Sequence, residues 1–257
     1  MPTLSPLAAY LDAALNIAGI PDYPNAVNGV QLANTGDIRR VATAVDFSSQ
    51  TVTAAVHAGA NLLIVHHGIF WGGVQPIVGT RRQRLHALLT HDIAVYSAHL
   101  PLDVHPVFGN NALLAKRLGL EPSAGFAKYQ SLDVGLSGQS DLPTHVLAAR
   151  AKQLATDHQG SLIATPFDRE RVTHRWGICT GAGADSSTLR EASERGLDTL
   201  IVGEGPHHTA VEAGELGIVI LYAGHYATET LGVKALGDAL AAHFDMTSTF
   251  LDAPTGL

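Results

Sequence analysis

Asn61-Leu62-Leu63-Ile64-Val65-His66-His67-Gly68 is an apolar run that ends abruptly in two histidines and a glycine. A short apolar run between turn residues predicts a strand that is buried on both faces, as in a parallel α/β sheet. In open α/β sheets, ligands bind just beyond the carboxyl ends of the strands, where His66 and His67 lie. Imidazole is the commonest protein ligand for transition metals, so the pair is a candidate metal site. The alternative is two core or surface histidines without a ligand, and the rest of the chain decides between them.

The bulk composition excludes several classes of protein. With 257 residues, 46% of them hydrophobic, the chain can bury the core of one large α/β domain or of two small lobes. The net charge is −7 and the 16 Lys and Arg residues form no basic run, which argues against a nucleic-acid surface. The single cysteine, Cys179, excludes an intrachain disulfide framework and a cysteine-rich zinc module; its strand-like neighbours predict a buried, inert thiol.

The sequence also predicts where the protein is found. The first residues lack the basic region of a secretory signal, and no stretch approaches the roughly 20 apolar residues of a membrane span. A cytoplasmic protein without membrane contact is therefore expected. Fourteen histidines in such a chain are many, and they call for a functional reason.

Two passages of the chain resemble each other. Residues 57–67 align with residues 194–204, and after one further helix Tyr96-Ser-Ala-His99 aligns with Tyr222-Ala-Gly-His225. Both copies predict strand–helix–strand–helix–strand, and right-handed crossovers place all strand ends of one copy on the same side. Chance similarity between two Ala-, Gly- and Leu-rich units is the alternative. A true repeat lets these strand tips converge in one cleft: His66, His67, His99, Asp103, Glu204 and His225.

A second motif carries a carboxylate. His225 and Glu229 are four residues apart, so on a helix that starts at His225 both side chains can reach one ion. The alternative is a helix N-terminus where Glu229 favours the positive end of the dipole. Neighbouring strand residues point to opposite sides, which suggests that His66 and His67 each hold one of two ions. Glu229 then bridges the ions, and Asp103 and His225 complete the ligand shells.

Such a site has a known chemistry. Two-metal sites hold their ions about 3.5–4 Å apart and activate water. Mixed histidine and carboxylate ligation suits Zn, Mn, Fe, Co or Ni without selecting among them. The glycines of residues 180–185 follow a predicted strand and precede a helix, which fits either a phosphate cradle or a plain tight turn. The full dinucleotide fingerprint is missing, so the tight turn is favoured.

These residues match a known pattern from end to end. The matching motifs, in chain order, are Asn28-Gly29-Val30-Gln31, Ile64-Val65-His66-His67-Gly68, His99-Leu100-Pro101-Leu102-Asp103, Gly109-Asn110-Asn111, Gly203-Glu204 and Gly224-His225-Tyr226-Ala227-Thr228-Glu229. The chain resembles the GTP cyclohydrolase I type 2 homologue family of NGG-interacting-factor-like dinuclear-metal proteins. It looks like a short member without an extra middle domain, and the valine in the first motif departs from the commoner leucine.

The resemblance implies two α/β lobes, a dinuclear site between them and a ring-shaped homohexamer. Carried over, His67 and Asp103 serve one ion, His66 and His225 the other, and Glu229 bridges them. Members are named for opening the guanine imidazole ring of GTP, although others are described only as metal-binding proteins. The predicted fold is thus two similarly built α/β lobes with mixed sheets. The first lobe covers residues 1–124, the second residues 125–224, and residues 225–257 pack back onto the first.

Three functions are compatible with these residues. The first is a metal-dependent hydrolase in which activated water attacks an electrophilic carbon such as a purine C8, with His99 or Glu204 transferring protons. In the alternative roles, His99 orients a ligand and Glu204 is a turn carboxylate. The second function is a non-catalytic metal-binding or scaffold protein with a closed coordination shell. The third is a metal-dependent phosphoesterase or amidohydrolase, which shares every residue with the first.

Overall fold

Two separate β-sheets organise the chain, whose computed structural model describes residues 2–257. The first sheet has five strands and the second has six, and each combines parallel with antiparallel neighbours. The predicted α/β class with mixed sheets is therefore confirmed. No helix within residues 2–257 has both the length and the apolarity needed to cross a membrane.

The elements follow the alternation that the sequence predicts. In chain order they are α1 (Leu4–Ala14), β1 (Gly29–Leu32), β2 (Arg40–Asp46), α2 (Ser49–His57), β3 (Leu62–His67), α3 (Gly79–Thr90), β4 (Ala94–Ser97), α4 (Leu100–Asp103), α5 (Asn110–Leu118), β5 (Pro122–Tyr129), β6 (Leu132–Pro143), α6 (Thr144–Asp157), β7 (Ile163–Ala164), β8 (Val172–Cys179), α7 (Ser186–Glu194), β9 (Thr199–Val202), α8 (His207–Glu215), β10 (Val219–Tyr222), α9 (His225–Phe244) and β11 (Thr247–Phe250).

The chain divides into two compact units, one around each sheet. The first unit runs up to Leu102 and takes in Gly232–Ala253, and the second comprises Asp103–Leu231 and Pro254–Leu257. The boundaries between the units thus fall at Asp103 and at Gly232, whereas the predicted lobes change after residue 124 and at residue 225. Helix α9 contributes residues to both units.

The first sheet explains why residues 61–68 form an apolar run that ends in two histidines. Its strand order is β1-β4-β3-β2-β11, with β3 parallel to β2 and β4 on its two sides and β1 antiparallel at one edge. Every residue of β3 is buried, including both histidines. A central parallel strand is covered on both faces, so an uninterrupted apolar run is what it requires. The two histidines are the polar residues that this strand carries at its carboxyl end.

The second sheet repeats the plan of the first. Its order is β5-β6-β8-β9-β10-β7, in which β8, β9 and β10 are parallel and β7 pairs antiparallel with β10. The set β7, β10, β9, β8 therefore matches β1, β4, β3, β2 in order, direction and intervening helices. The predicted internal repeat is confirmed, and it places Glu204 after β9 as His67 ends β3.

One predicted strand is wrong. The alternation of residues over Tyr129–Gly135 predicts one strand with an exposed face, whereas β5 ends at Tyr129 and β6 begins at Leu132 in an antiparallel hairpin. The two-residue connection has Gln130 at φ +54°. The turn residues of such tight hairpins are usually Asn-Gly or Asp-Gly, so the Gln130-Ser131 sequence does not predict a hairpin.

Candidate metal site

Three buried histidines come together in the first unit. His66 and His67 end β3, and His99 follows the neighbouring strand β4. One ring nitrogen from each lies within 4.8 Å of the others, and all three side chains are buried. The ring centroid of His66 lies 4.8 Å from those of both His67 and His99. Parallel strands that end side by side bring these rings together, although His99 comes more than thirty residues after the other two in the chain.

Each ring is fixed through its Nδ1 atom. His66 Nδ1 is 2.8 Å from the carbonyl oxygen of Ala98, His67 Nδ1 is 2.9 Å from Asp46 Oδ1, and His99 Nδ1 is 2.8 Å from Asp22 Oδ1. These oxygens accept, so each ring, in its neutral form, carries its proton on Nδ1 and a lone pair on Nε2. Metal-ligating histidines show this arrangement, in which a carboxylate or carbonyl sets the tautomer and the ring direction. The donor set therefore fits a divalent transition metal.

Asp22 is the most strongly supported of these anchors. Its carboxylate also accepts hydrogen bonds from the Leu100 amide at 2.9 Å and from Asn28 Nδ2 at 2.8 Å. Burial raises the pKa of Asp22, but the hydrogen bond and charge of His99, with the bonds from Asn28 and the Tyr23 amide, outweigh it and lower the pKa below its ordinary value. Asn28 of the Asn-Gly-Val-Gln motif thus holds the anchor of His99 in place.

Neither carboxylate anchor, Asp46 or Asp22, is among the residues predicted from the sequence. Asp46 lies opposite His67 in the register of β2 and β3, and a carboxylate at the end of the neighbouring strand was the signal that could have found it. Asp22 lies in the loop before β1 and is 77 residues from His99, so no sequence pattern links the two.

The strand pleat does not separate the two adjacent histidines as expected. The alternation of a strand predicts His66 and His67 on opposite sides, but their ring centroids lie 4.8 Å apart and the rings are inclined by 55°. The two rings have different anchors, Ala98 on one side and Asp46 on the other, and these anchors set the ring directions where β3 ends.

The second unit brings a histidine and two glutamates together. His225 is the first residue of α9; its Nδ1 is 2.8 Å from Glu204 Oε1, and its Nε2 is 3.2 Å from Glu229 Oε2. Burial lowers the pKa of His225, but the hydrogen bonds and negative charges of Glu229 and Glu204 more than offset it and raise the pKa to about 9. The predicted proximity of His225 and Glu229 on one helix face is confirmed.

The glycine-rich loop after β8 is a tight turn packed against this pair. Gly181 has φ +63°, and a Cβ atom there would overlap Glu229 Oε1 and lie 3.4 Å from His225 Nε2. The N-terminus of α7 beyond the loop is capped by the Asp185 side chain, which accepts from the Thr188 amide at 2.7 Å. A carboxylate already occupies that helix end, so the turn interpretation favoured by the sequence is the one the structure supports.

Asp103 is held beside the same loop. Its Oδ1 accepts from Asn110 Nδ2 at 2.8 Å and from the Thr180 hydroxyl at 3.5 Å. Asn111 Nδ2 donates to the Asp103 backbone oxygen at 3.3 Å, and Asn111 Oδ1 accepts from the Thr180 amide at 2.9 Å. The two asparagines of the Gly-Asn-Asn motif therefore fix Asp103, which is 5% exposed.

The predicted site residues fall into two groups within their units. The first unit brings His99, given a proton-transfer role by the sequence, into the cluster of His66 and His67. The second unit brings Glu204 and Glu229 to His225. Cys179 is buried, and burial with nearby carboxylates raises the pKa of its thiol, as expected of an inert residue.

The comparison with protein families accounts for nearly the whole chain. The model of the Duf34/NIF3 (NGG1p interacting factor 3) family matches residues 2–254. The chain belongs to the DUF34/NIF3 family. The resemblance drawn from the histidine, aspartate and glutamate motifs is therefore confirmed.

Relatives of known sequence or structure agree with the DUF34/NIF3 assignment. A Deinococcus radiodurans protein named GTP cyclohydrolase 1 type 2 homolog is 38% identical over 98% of this chain and 93% of its own length. A protein of the same name from Pyrococcus abyssi is 39% identical over 98% of each chain. A crystal structure of a Thermus thermophilus protein is 34% identical with a TM-score of 0.82, and each chain is covered completely.

Proposed function

We propose that this chain is a divalent-metal-dependent hydrolase of the GTP cyclohydrolase 1 type 2 kind, acting on GTP or a related small molecule. The observation that carries the proposal is the buried cluster of His66, His67 and His99, whose Nδ1 atoms are all hydrogen-bonded. Three imidazoles that converge in a buried position form a donor set that fits a transition-metal ion.

The proposed centre binds two ions, which can be Zn, Mn, Fe, Co or Ni. By the family resemblance, His67 and Asp103 would hold one ion, His66 and His225 would hold the other, and Glu229 would contribute its carboxylate to both. Divalent ions in such centres lower the pKa of water and polarise the electrophile. In this proposal the molecule acts as a cytoplasmic homohexamer, again by resemblance to the family.

Other residues of the site orient the histidines and transfer protons. Glu204 is 2.8 Å from His225 Nδ1 and its side chain is 44% exposed, so it can exchange protons with solvent while it orients His225. His99 is held by Asp22 with its lone pair on Nε2, which suits either a ligand or a proton acceptor. Asp46 and Asp22 keep the rings of His67 and His99 in the binding tautomer.

The metal centre is tested by stoichiometry and affinity. The protein is reconstituted with zinc, and bound zinc is measured by mass spectrometry in the wild type and in His66→Ala, His67→Ala, His225→Ala and Glu229→Gln. We expect stoichiometric zinc in the wild type and loss in each variant, with His86→Ala, an exposed residue of α3, as the unchanged control. Asp22→Asn should weaken zinc affinity by about 10- to 100-fold, the usual effect of removing such a partner.

Catalysis is tested separately on the same proteins. GTP and a panel of nucleotides and amides are supplied to the metal-loaded protein, and products are followed by chromatography. His99→Ala that keeps its zinc but loses turnover assigns proton transfer to His99, whereas loss of zinc makes it a ligand. GTP turnover that survives in His67→Ala contradicts the mechanism. Stoichiometric zinc binding without turnover of any tested compound contradicts the hydrolase function and favours a metal-binding scaffold protein.

A further inference from the structure

Two aromatic side chains lie beside the histidine cluster and have no part in the proposed metal centre. Trp71 belongs to the glycine-rich loop after β3, and its ring centroid is 4.7 Å from that of His67 and 4.4 Å from that of His99. Tyr23, which follows Asp22, has its ring centroid 5.9 Å from His99 and 6.3 Å from Trp71. All of these residues belong to the first unit.

Both aromatic side chains are exposed to solvent. Trp71 is 36% exposed and Tyr23 is 47% exposed, whereas the other tryptophan, Trp176, is completely buried. The two exposed rings stand nearly perpendicular to each other, at 87°. An exposed indole that contacts two candidate ligands with part of its surface has the rest available for another flat group. Aromatic pairs of this kind form the walls of sites for planar rings.

The loop is held in a way that keeps Trp71 at the cluster. The Ile69 amide, two residues earlier, donates to Gln31 Oε1 at 2.6 Å, and Gln31 Nε2 donates to the carbonyl oxygens of Ala26 and Val27 at 3.0 and 2.9 Å. A side chain at Gly68 would overlap Gln31, so the glycine permits this attachment. The loop before β1, which carries Tyr23, and the loop after β3, which carries Trp71, are thus tied to each other.

We propose that Trp71 is the stacking surface, and Tyr23 the wall perpendicular to it, for the planar heteroaromatic ring of the substrate next to the histidine cluster. The inference rests on the proposed hydrolase function, because it identifies which chemical part of the substrate this side of the site recognises. A purine has the required flat π-face, and aromatic side chains bind bases by stacking without reading their edges. Trp71 and Tyr23 therefore select substrates that carry a planar ring.

Binding of guanosine tests this without any turnover. Trp71 emission is measured in the zinc-loaded protein, excited at the red edge of the tryptophan band where guanosine hardly absorbs, with ribose as the ligand that lacks a ring. We expect guanosine to quench the exposed Trp71 and ribose to have no effect, while the buried Trp176 gives a constant background. Guanosine that leaves the emission unchanged and does not bind in equilibrium dialysis overturns the inference.

Variants of Trp71 and Tyr23 distinguish stacking on a ligand from a role in shielding the histidines from solvent. By dialysis, Trp71→Leu should weaken guanosine binding about tenfold or more, the usual loss when a base loses its stacking partner, and Trp71→Phe should restore most of it. Tyr23→Leu and Tyr23→Phe should behave in the same way to a smaller extent. Val74→Ser, a change at a 94% exposed residue of the same loop, is the control that keeps guanosine affinity. Equal weakening in the Leu and Phe variants overturns the inference.

Zinc content, measured in parallel, distinguishes this inference from the proposed function. Trp71→Leu that loses zinc identifies Trp71 as a cover for the histidines and overturns the stacking role. Wild-type protein that binds zinc but not guanosine overturns the inference and leaves the metal centre standing. Wild-type protein that binds no zinc overturns the proposed function, and guanosine binding to the metal-free protein then decides the inference alone.

Discussion

At the scale of single residues, the groups that support the histidines matter as much as the histidines. His67 and His99 each donate through Nδ1 to an aspartate, and Asn28 in turn holds one of these aspartates. Hydrogen bonds of this kind fix which nitrogen carries the lone pair. A histidine at a strand end becomes a credible ligand only when such an acceptor lies on its other side.

Close packing at a glycine is a second feature of single residues, and Gly181 allows a prediction about stability and zinc binding. A Cβ atom at Gly181 would overlap Glu229, whereas Gly217 has a similar φ of +70° with no atom within 4 Å of the added Cβ. Gly217→Ala should cost only the left-handed backbone penalty, about 1–2 kcal/mol. Gly181→Ala should add an overpacking cost of about 1–3 kcal/mol and weaken zinc binding.

Urea denaturation of both glycine variants, with zinc titrations of each, checks this prediction. The comparison removes backbone strain as an explanation because both positions share the left-handed conformation. Equal free energies of unfolding and equal zinc affinities in the two variants would show that Glu229 does not depend on close approach to the loop.

At the scale of elements, helix α2 shows how local sequence fixes the position of an anchor. Ser48 Oγ accepts from the Thr51 amide at 3.1 Å, and Thr51 Oγ1 accepts from the Ser48 amide at 2.9 Å, which makes a reciprocal capping box. The Thr51 hydroxyl also donates to the carbonyl oxygen of Asp46 at 2.8 Å. The start of α2 is thus tied to the residue that orients His67.

The capping box predicts an effect that can be measured by chemical denaturation. Ser48→Ala should lower the free energy of unfolding by about 1 kcal/mol, because it removes the acceptor for an orphan helix amide. Thr3→Ala is the matched control, since Thr3 precedes α1 without a side-chain capping bond, and it should change stability by less than about 0.5 kcal/mol. A Ser48→Ala loss no larger than that of Thr3→Ala would contradict the role given to the cap.

At the scale of the whole molecule, one arrangement of strands occurs twice. The order β1-β4-β3-β2 in one sheet and β7-β10-β9-β8 in the other share three parallel strands, two crossover helices and one antiparallel edge. Ligands bind beyond the carboxyl ends of such strands, and the polar motifs of both copies lie there. The functional residues are therefore at the position that the topology itself favours.

Metal binding should appear in the stability of the entire chain. A ligand that binds only the folded state at about 100 times its Kd stabilises by about 2.7 kcal/mol, which corresponds to roughly 5–10 °C in Tm at this chain length. Thermal unfolding is followed with zinc and with excess EDTA. We expect the zinc-dependent shift in the wild type and in His86→Ala, and its loss in His66→Ala. A wild-type Tm that is the same with zinc as with EDTA would contradict a metal site in the folded state.

The sequence by itself determined the elements and the chemistry available. The buried run of β3 and the spacing of His225 and Glu229 follow from neighbouring residues, because periodicity and short-range geometry are local properties. The repeat follows from the similarity of two segments of the same sequence. The sequence did not reveal the Gln130-Ser131 hairpin, since its turn residues carry no typical signal.

Only the tertiary structure decided which distant groups support one another. The partnership of Asp22 with His99, the approach of His99 to His66, and the contact of Trp71 with both His67 and His99 depend on strands and loops that are far apart in the chain. Their proximity is set by strand order and by loop attachment, which come from packing the entire sheet. No pattern of adjacent residues encodes those distances.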